Sequence, residues 1–481
     1  MPSLKKNFFY SALLTLANYV FPLITYPYVS RVLGVTNIGI CNFVDNIVNW
    51  FIVFSTMGIS VLGVREIAAV RSGKEERSKV FSSLLALNGL TTLVAAAILA
   101  VSIFVIPSLA SYRKLLFLGV AKLIAHSLSL EWFFRGIEEF KYITDRSIAI
   151  KALYVVAVFL FVRKADDYGI YYLLLTSIFV ANTIVNVVYS RRYVSFSLKD
   201  LDLRRYAGPY LILGLNFILT SMYSSFNVIY LGFVQGAEQV GYYTTATKIL
   251  TIVTALITAF TTVMLPRMSA VLTDGKMEEF HAYVSRAFHL LFLIGIPAVF
   301  LLQTEALDIV RVVSGAGYEG AIRPMRIVAP MLLVVGLDQI LILQIMMPMK
   351  DDRRIFVNSA IGAGMGILLN LLLVRSMGAT GSAIVWIFAE LAVCIAAMVA
   401  VFGKDGIVFP GKTVFRMLLF YLPLLAVLFM TSSFHIEKSY FRLALSAGIT
   451  ACYFLAASCW VFKDPVILET VRQLSGRFKK L

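Results

Sequence analysis

The sequence predicts an all-α integral membrane protein of about fourteen transmembrane helices, arranged as two parallel six-helix lobes plus two C-terminal helices. Three observations carry this prediction. First, hydrophobic residues make up 59% and charged residues 15% of the 481 positions, against roughly 25% charged in a soluble domain; the mean hydropathy is +0.84. Second, apolar runs of about 20 residues, long enough to cross a bilayer as a helix, recur along the whole chain. Lipid offers backbone groups no partner, so each span satisfies its own. The short alternating segments of a β-barrel do not appear. Third, the stretch Gly34 to Glu76 recurs 202 positions later, without a gap, as Gly236 to Glu278. Gly34 meets Gly236, Gly39 meets Gly241, Ile47 meets Ile249, Arg65 meets Arg267 and Lys74 meets Lys276. A repeat this long is half a transporter rather than a solenoid unit.

Taken in order, the apolar runs place first-half spans at 8–30, 37–64, 81–107, 115–134, 147–162 and 170–190. Lys5 and Lys6 precede the first run, which is too long for a signal-peptide core and has no small-residue cleavage site, so it reads as a retained span. Pro22 and Pro27 interrupt that span, a Gly-flanked turn opens the second, and an Arg and a Gly-Lys loop close the second. Span 147–162 is short. The second half gives 207–232, 241–265, 285–303, 325–347, 355–374 and 382–402. Residues 304–324 form a loop with room for a short surface helix. A final pair follows at 414–432 and 443–462. The domains are therefore 1–202, 203–403 and a 404–481 segment with a basic tail.

The formal charge of +16 reflects orientation, not nucleic-acid binding. With the N-terminus cytoplasmic, and residues within about four positions of a span end counted with the adjoining segment, 30 of the 43 Lys and Arg fall in inner segments and 11 in outer ones; Lys122 and Lys248 are left deep within spans. Both termini are then cytoplasmic. Six spans per half make the repeats parallel, related by an axis along the membrane normal. Cys41, Cys394, Cys452 and Cys459 sit in apolar runs with neither metal nor disulfide spacing. No cofactor loop, zinc spacing or nucleophile triad is present, so no catalytic residue is assigned.

Several spans carry one polar face. Asn42, Asp45, Asn46 and Asn49 follow i, i+3, i+4, i+7, and Thr244, Thr247, Lys248 and Thr251 repeat the stripe with Lys248 where Asn46 stands. Ser11, Thr15, Asn18 and Thr25 mark span one; Asn216, Thr220, Tyr223, Asn227 and Tyr230 mark span seven. Such stripes either glue helices together or line a cavity. Four in equivalent positions of two repeats favour the cavity. Five charges lie well inside spans: Asp45, Lys122, Lys248, Asp338 and Glu390. Each costs about 2.5–3.5 kcal/mol to insert, so it faces a cavity or a partner. Asp45, Lys122 and Lys248 lie at one depth, roughly 10–12 Å below the outer surface, where they can cluster. Lys122 and Lys248 then either bind an anionic head group or, for one of them, simply pair with Asp45. His126, one turn from Lys122, is better read as packing. Asp338 and Glu390 either carry coupling protons or pair helices.

The run Val29, Ser30, Arg31, Val32, Leu33, Gly34, then Gly39, Asn42 and Phe43, then Gly58, Ile59 and Arg65 to Ala68, resembles the start of bacterial polysaccharide flippases of the Wzx type. Gly241, Tyr242 and Tyr243 add to it. These flippases belong to the multidrug/oligosaccharidyl-lipid/polysaccharide exporter superfamily, with a MATE-like fold. The resemblance implies a multi-pass protein of the bacterial cytoplasmic membrane. It implies that an undecaprenyl-diphosphate-linked oligosaccharide, as in O-antigen or capsule assembly, is moved from the inner to the outer leaflet by alternating access, coupled to H+ or Na+. It implies a cationic cavity in which Lys122, Lys248 and, at the exit, Arg31 meet the head group. Asn18, Asn42, Asp45, Asn46, Asn49, His126, Asn216, Thr220, Asn227, Thr244 and Thr251 would line this cavity, with Asp45, Asp338 and Glu390 available for ion coupling. Partners would be the lipid-linked glycan, membrane lipid and polysaccharide polymerase or assembly proteins. A multidrug antiporter shares the architecture but wants acids in spans one and seven, which have none. A membrane glycosyltransferase, polymerase or ligase needs outer-loop acids, and Glu305, Asp308 and Glu319 form no recognisable arrangement.

Overall fold

A computed structural model describes residues 4–199, 201–402, 407–433 and 439–462. Among these residues every regular element is helical. In chain order they are α1 (Leu4–Thr56), α2 (Ile59–Ala69), α3 (Lys74–Val105), α4 (Arg113–Ser127), α5 (Glu131–Gly136), α6 (Phe140–Phe161), α7 (Tyr168–Ser190), α8 (Leu203–Gln235), α9 (Ala237–Thr273), α10 (Met277–Thr304), α11 (Ala306–Ser314), α12 (Ile322–Val328), α13 (Met331–Asp338), α14 (Asp352–Leu369), α15 (Arg375–Val401), α16 (Gly411–Ser433) and α17 (Ser439–Ala456). Each expected span falls on helix. Eight continuous helical runs of the described residues are long and apolar enough to cross a membrane, and a bent pair, Glu319–Val328 with Met331–Met346, makes a ninth. Two of the eight, Phe9–Ala69 and Asp352–Val401, hold two spans each, broken at Gly34 and Gly378, both at positive φ. The fifth span starts earlier than its apolar stretch suggests, because α6 begins at Phe140 and takes Lys141 and Arg146 into the helix. Within 304–324 lies the short α11, which is largely buried rather than on the surface, with Ala306, Asp308, Val310 and Ser314 packed inside.

The chain forms two compact units. The first comprises 1–245, 314–320 and 359–389. Its organising feature is a reciprocal contact between the two copies of the repeat. Gly34 (φ 75°, ψ 169°) and Gly236 (φ 84°, ψ 178°) adopt the same left-handed turn, which only glycine enters without strain. Just beyond it α1 and α9 touch backbone to backbone. A Cβ on Gly39 would lie 1.8 Å from the carbonyl oxygen of Ala237, and a Cβ on Gly241 would lie 2.3 Å from that of Val35. Residues 35 and 237, like 39 and 241, are repeat equivalents, so the contact is self-complementary about a local two-fold. Asn42 Nδ2 donates to Thr244 Oγ1 at 2.9 Å, again between equivalents. The equivalence reaches the neighbouring turns: Asn37 Nδ2 donates to Ala165 O (2.9 Å), and its counterpart Gln239 accepts from Ala379 N (2.9 Å). Asp167 holds its loop by accepting from the N–H groups of Arg163 (2.8 Å) and Lys164 (3.0 Å), bonds that keep its carboxyl below the usual range.

The other end of this unit is sealed by an aromatic core of Phe81, Trp132, Phe133, Phe134 and Tyr210. Gly63 lets α2 press against the Trp132 ring. Tyr210 Oη donates to Ser55 O (2.9 Å) and meets Asn88 Oδ1 (3.1 Å). Residues 314–320 cap the opposite end, where the buried Tyr318 donates to Ser30 O at 3.0 Å.

The second unit comprises 246–313, 321–358 and 390–481. Here α16 docks on α10 through Tyr421 Oη donating to Leu293 O (3.0 Å). The buried acids Glu305 and Asp308 meet Arg442 of α17, and Ser446 donates to Glu305 at 2.9 Å. The backbone widens into π-helix at 339–346, with Met347 N donating to Ile342 O (2.8 Å).

Gly39→Val forces apart two backbones already in contact, and overpacking of this kind costs about 1–3 kcal/mol. The detergent-solubilised variant is expected to melt several degrees lower than the parent. Gly89→Ala, at a helical position with no atom within 4 Å, is expected to melt with the parent.

Candidate functional site

A cavity of about 660 Å³ lies inside the first unit. Helices α1, α2, α4, α5, α6 and α7 form its wall, with Phe217 of α8. Its polar lining includes Asn18, Asn49, His126, Glu131, Arg135, Ser147, Lys151 and Asn182. Two aromatic residues, Trp132 and Phe179, also line it.

The sequence predicted Lys122 as the cation of this half. The structure sets it in the wall, not in the lumen. Lys122 is 4% exposed. Its ammonium donates to Asp45 Oδ1 at 2.5 Å and to Asn49 Oδ1 at 3.0 Å, and lies 4.8 Å from the centre of the Phe179 ring. Asn49 Nδ2 donates back to Asp45 Oδ2 at 3.1 Å. An ammonium has three N–H groups, and this pocket accounts for each direction. Lys122 and Asp45 therefore cancel, tying α1 to α4.

Lys151 is the cation the sequence left out. Its Nζ donates to Asn18 Oδ1, across the cavity from α6 to α1. The sequence places it near the inner end of the 147–162 span, beside the charges of the adjoining inner segment, whereas α6 starts at Phe140 and sets it well inside the helix. The usable signal was Ser147 and Lys151 at i, i+4, a polar face on span five. Glu131 and Arg135, also i, i+4, pair at 3.6 Å; behind them the buried Arg146 pairs with Glu131 at 3.2 Å and also bonds Asn186. They reach the cavity because the chain breaks at Leu130 (φ 54°), a non-glycine turn that no pattern announces.

The remaining predicted residues divide by partner. Asn42 and Thr244 join the repeats, as above. Asn46 donates to Asn42 O at 2.8 Å. Asn227 is buried and donates to Tyr243 Oη (3.0 Å) and Ser382 O (2.9 Å), so it is committed to packing. Arg31 donates to Pro27 O at 2.9 Å, with its stem against Gly315. The side chains of Asn216, Thr220 and Tyr223 lie outside the described residues. In the second unit, Lys248 is half-buried and Thr251 exposed, its hydroxyl donating to Thr247 O (2.8 Å). Asp338, 7% exposed, faces Glu390 and Cys394 at the start of the π-helical stretch. Beside it Gln339 bridges Thr258 and Thr261 at 2.9 Å each.

Apolar helices long enough to cross a membrane, around a charged and amide-lined cavity, define a multi-pass membrane protein. The chain belongs to the polysaccharide biosynthesis protein family, whose profile matches residues 4–272. A relative from Escherichia coli (strain K12), named "Putative O-antigen transporter", is 25% identical over 375 residues, covering 77% of this chain and 89% of its own. One of the same name from Shigella dysenteriae is 25% identical over 274 residues, 55% of this chain and 67% of that one. Among solved structures, the lipid II flippase MurJ in its inward closed conformation superposes with a TM-score of 0.77 at 15% identity, covering 95% of this chain and 100% of that chain. An inward-facing multidrug resistance MATE family transporter gives 0.59 at 16% identity, covering 88% and 100%. At these identities the likeness establishes the fold.

Removing one member of a buried ion pair strands the other and costs about 3–5 kcal/mol, whereas removing both costs far less. Asp45→Asn and Lys122→Met are each expected to lower the melting temperature in detergent, and the double variant to recover most of the loss. Additive losses in that double-mutant cycle would show that the two side chains are not coupled.

Proposed function

We propose that this protein moves an undecaprenyl-diphosphate-linked oligosaccharide repeat unit from the inner to the outer leaflet of the bacterial cytoplasmic membrane, with both termini cytoplasmic. The observation that supports it is the cavity of the first unit in a chain of this family: large, amide-lined and cationic. Diphosphate is drawn to Lys151 and Arg135, sugar hydroxyls meet the amides of Asn18, Asn49 and Asn182, and the lipid tail stays in the bilayer. Lys248 supplies the second repeat's cation. Alternating access follows if the α1–α9 contact at Gly39 and Gly241 parts while the aromatic end stays sealed, and the reverse. A ligand shifts such an equilibrium only as far as it prefers one state. Asp338 and Glu390, two facing carboxyl groups beside an irregular helix, are the site we assign to a coupling H+ or Na+. Polymerase and assembly proteins would take the product on the outer side. A multidrug antiporter carrying cations is disfavoured by the excess positive charge of this cavity.

The test is complementation of a strain that cannot display its surface polysaccharide, with lipid-linked intermediate scored on each leaflet. Glycan appearing outside only when the chain is present supports the reading. Unchanged glycan together with altered resistance to cationic dyes overturns it. Lys151→Ala removes a charge-assisted hydrogen bond of about 1.5–3 kcal/mol, so export should fall about tenfold to a hundredfold at normal protein levels. Lys248→Ala should act in the same direction. Undiminished export by the Lys151→Ala, Lys248→Ala double variant would remove the head-group role of both lysines.

A further inference from the structure

Where α10 gives way to α11, the second unit buries two carboxyl groups against one cation. Glu305 is 1% exposed and Asp308 fully buried. Arg442 of α17 bonds Asp308, and its Nε lies 3.8 Å from Glu305 Oε2. Ser446, one turn further along α17, donates to Glu305 Oε1 at 2.9 Å. Its own oxygen lies 3.3 Å from Thr431 Oγ1 of α16. The cluster thus ties both C-terminal helices to the end of α10. Among the described residues, α17 carries no charge besides Arg442. Arg311 of α11 and Arg323 and Arg326 of α12 are exposed. Lys412 and Arg416 stand at the opposite end of α16, the charges of α10 lie in its first half, and Asp338 of α13 faces Glu390.

Fully ionised, the cluster has two negative charges and one positive. A buried carboxyl group without a matching cation takes up a proton rather than stay charged. The hydrogen bonds lead to the same point independently. Glu305 Oε2 and Asp308 Oδ1 are both buried, and neither receives a donor. Buried polar atoms are nearly always satisfied. Two ionised carboxylates only accept, so they cannot satisfy each other; one proton between them lets them do so. The two groups are hydrogen-bond neighbours. A proton on Glu305 then donates to Asp308, while Asp308 stays ionised and keeps Arg442. Burial holds the Glu305 carboxyl above its usual range.

We infer that Glu305 and Asp308 form a proton-binding site, and that the one proton they share latches the C-terminal helices onto the second unit. Loaded, the cluster is neutral and every oxygen is satisfied. Once the proton leaves to solvent, a bare negative charge remains and α17 loosens. The docked helix holds the proton more tightly than the free one. Docking is therefore firmest at low pH and weakens as the pH rises above the ordinary carboxyl range. The site is separate from the Asp338–Glu390 pair and does not depend on what the protein carries.

The test is hydrogen exchange, read by mass spectrometry on the full-length protein in detergent from about pH 5 to about pH 8 and corrected for intrinsic rates. Protection of α17 should fall about tenfold across that range, while that of α3 stays constant. Glu305→Gln and Asp308→Asn each remove the surplus charge and leave an N–H donor between the two groups. Each should keep the parent's low-pH protection of α17 at every pH. Should one variant fail to fold, the other and the parent's own profile decide. Protection of α17 that does not change with pH in the parent overturns the site, and so does a parental pH dependence retained by the variants. Infrared pH-difference spectra of the parent should show a protonated-carboxyl band lost over the same range; no such band would also overturn it.

Discussion

Two glycines set the geometry of the first unit. At Gly39 and Gly241 the equivalent helices of the two repeats meet with no side chain between them, so α1 and α9 approach as closely as backbones allow. Small residues at a helix crossing bring van der Waals contact where lipid supplies no hydrophobic drive. The contact is self-complementary, residue 39 on 237 and residue 241 on 35, and Asn42 with Thr244 continues it along the same axis. Any larger residue at either glycine would separate both helices at once. The turns at Gly34 and Gly236 exist to deliver the chain into this crossing at the same angle twice.

Polar groups in the spans are governed by one constraint: in hydrocarbon every charge finds a partner. Lys122 satisfies it with Asp45, Asn49 and the face of Phe179. Arg146 satisfies it with Glu131, Asn186 and Ser147. Arg442 does so with Asp308 and Glu305. Lys151 is different, since the bond it makes is to an amide, Asn18. The distinction separates cations bonded to acids in the wall from one on the cavity lining that is bonded to a neutral amide. Both kinds sit on apolar helices, and only their neighbours tell them apart.

The cavity owes its lining to irregular backbone. A break at Leu130 swings Glu131, Trp132 and Arg135 from the end of α4 toward α6. In the second unit the π-helical turn at 339–346 follows directly on Asp338, and Gln339 beside it is held by Thr258 and Thr261. Non-helical backbone at membrane depth is tolerated where protein, not lipid, surrounds it. Such irregularity recurs at functional positions of helical proteins.

The sequence by itself determined the helical membrane class, the order of the spans and the repeat, because hydropathy and a gapless 202-residue offset are properties of the chain alone. It also put Asn18 and Asn49 on polar faces, and both stand on the cavity wall, as does His126, which the sequence read as packing. It marked Lys122 and Asp45 as lying at one depth, which is why their pairing was foreseeable as one of two outcomes. Only the tertiary structure decided between those outcomes, because whether a buried ammonium faces a carboxylate or a lumen depends on how α1 and α4 rotate against each other. The same holds for Lys151, Glu131 and Arg135. Glu131 and Lys151 stand near the inner ends of their spans and Arg135 in the loop between, and they line one cavity because α6 begins at Phe140 and the chain turns at Leu130. Local pattern fixes which residues share a helix face. Packing fixes what that face meets.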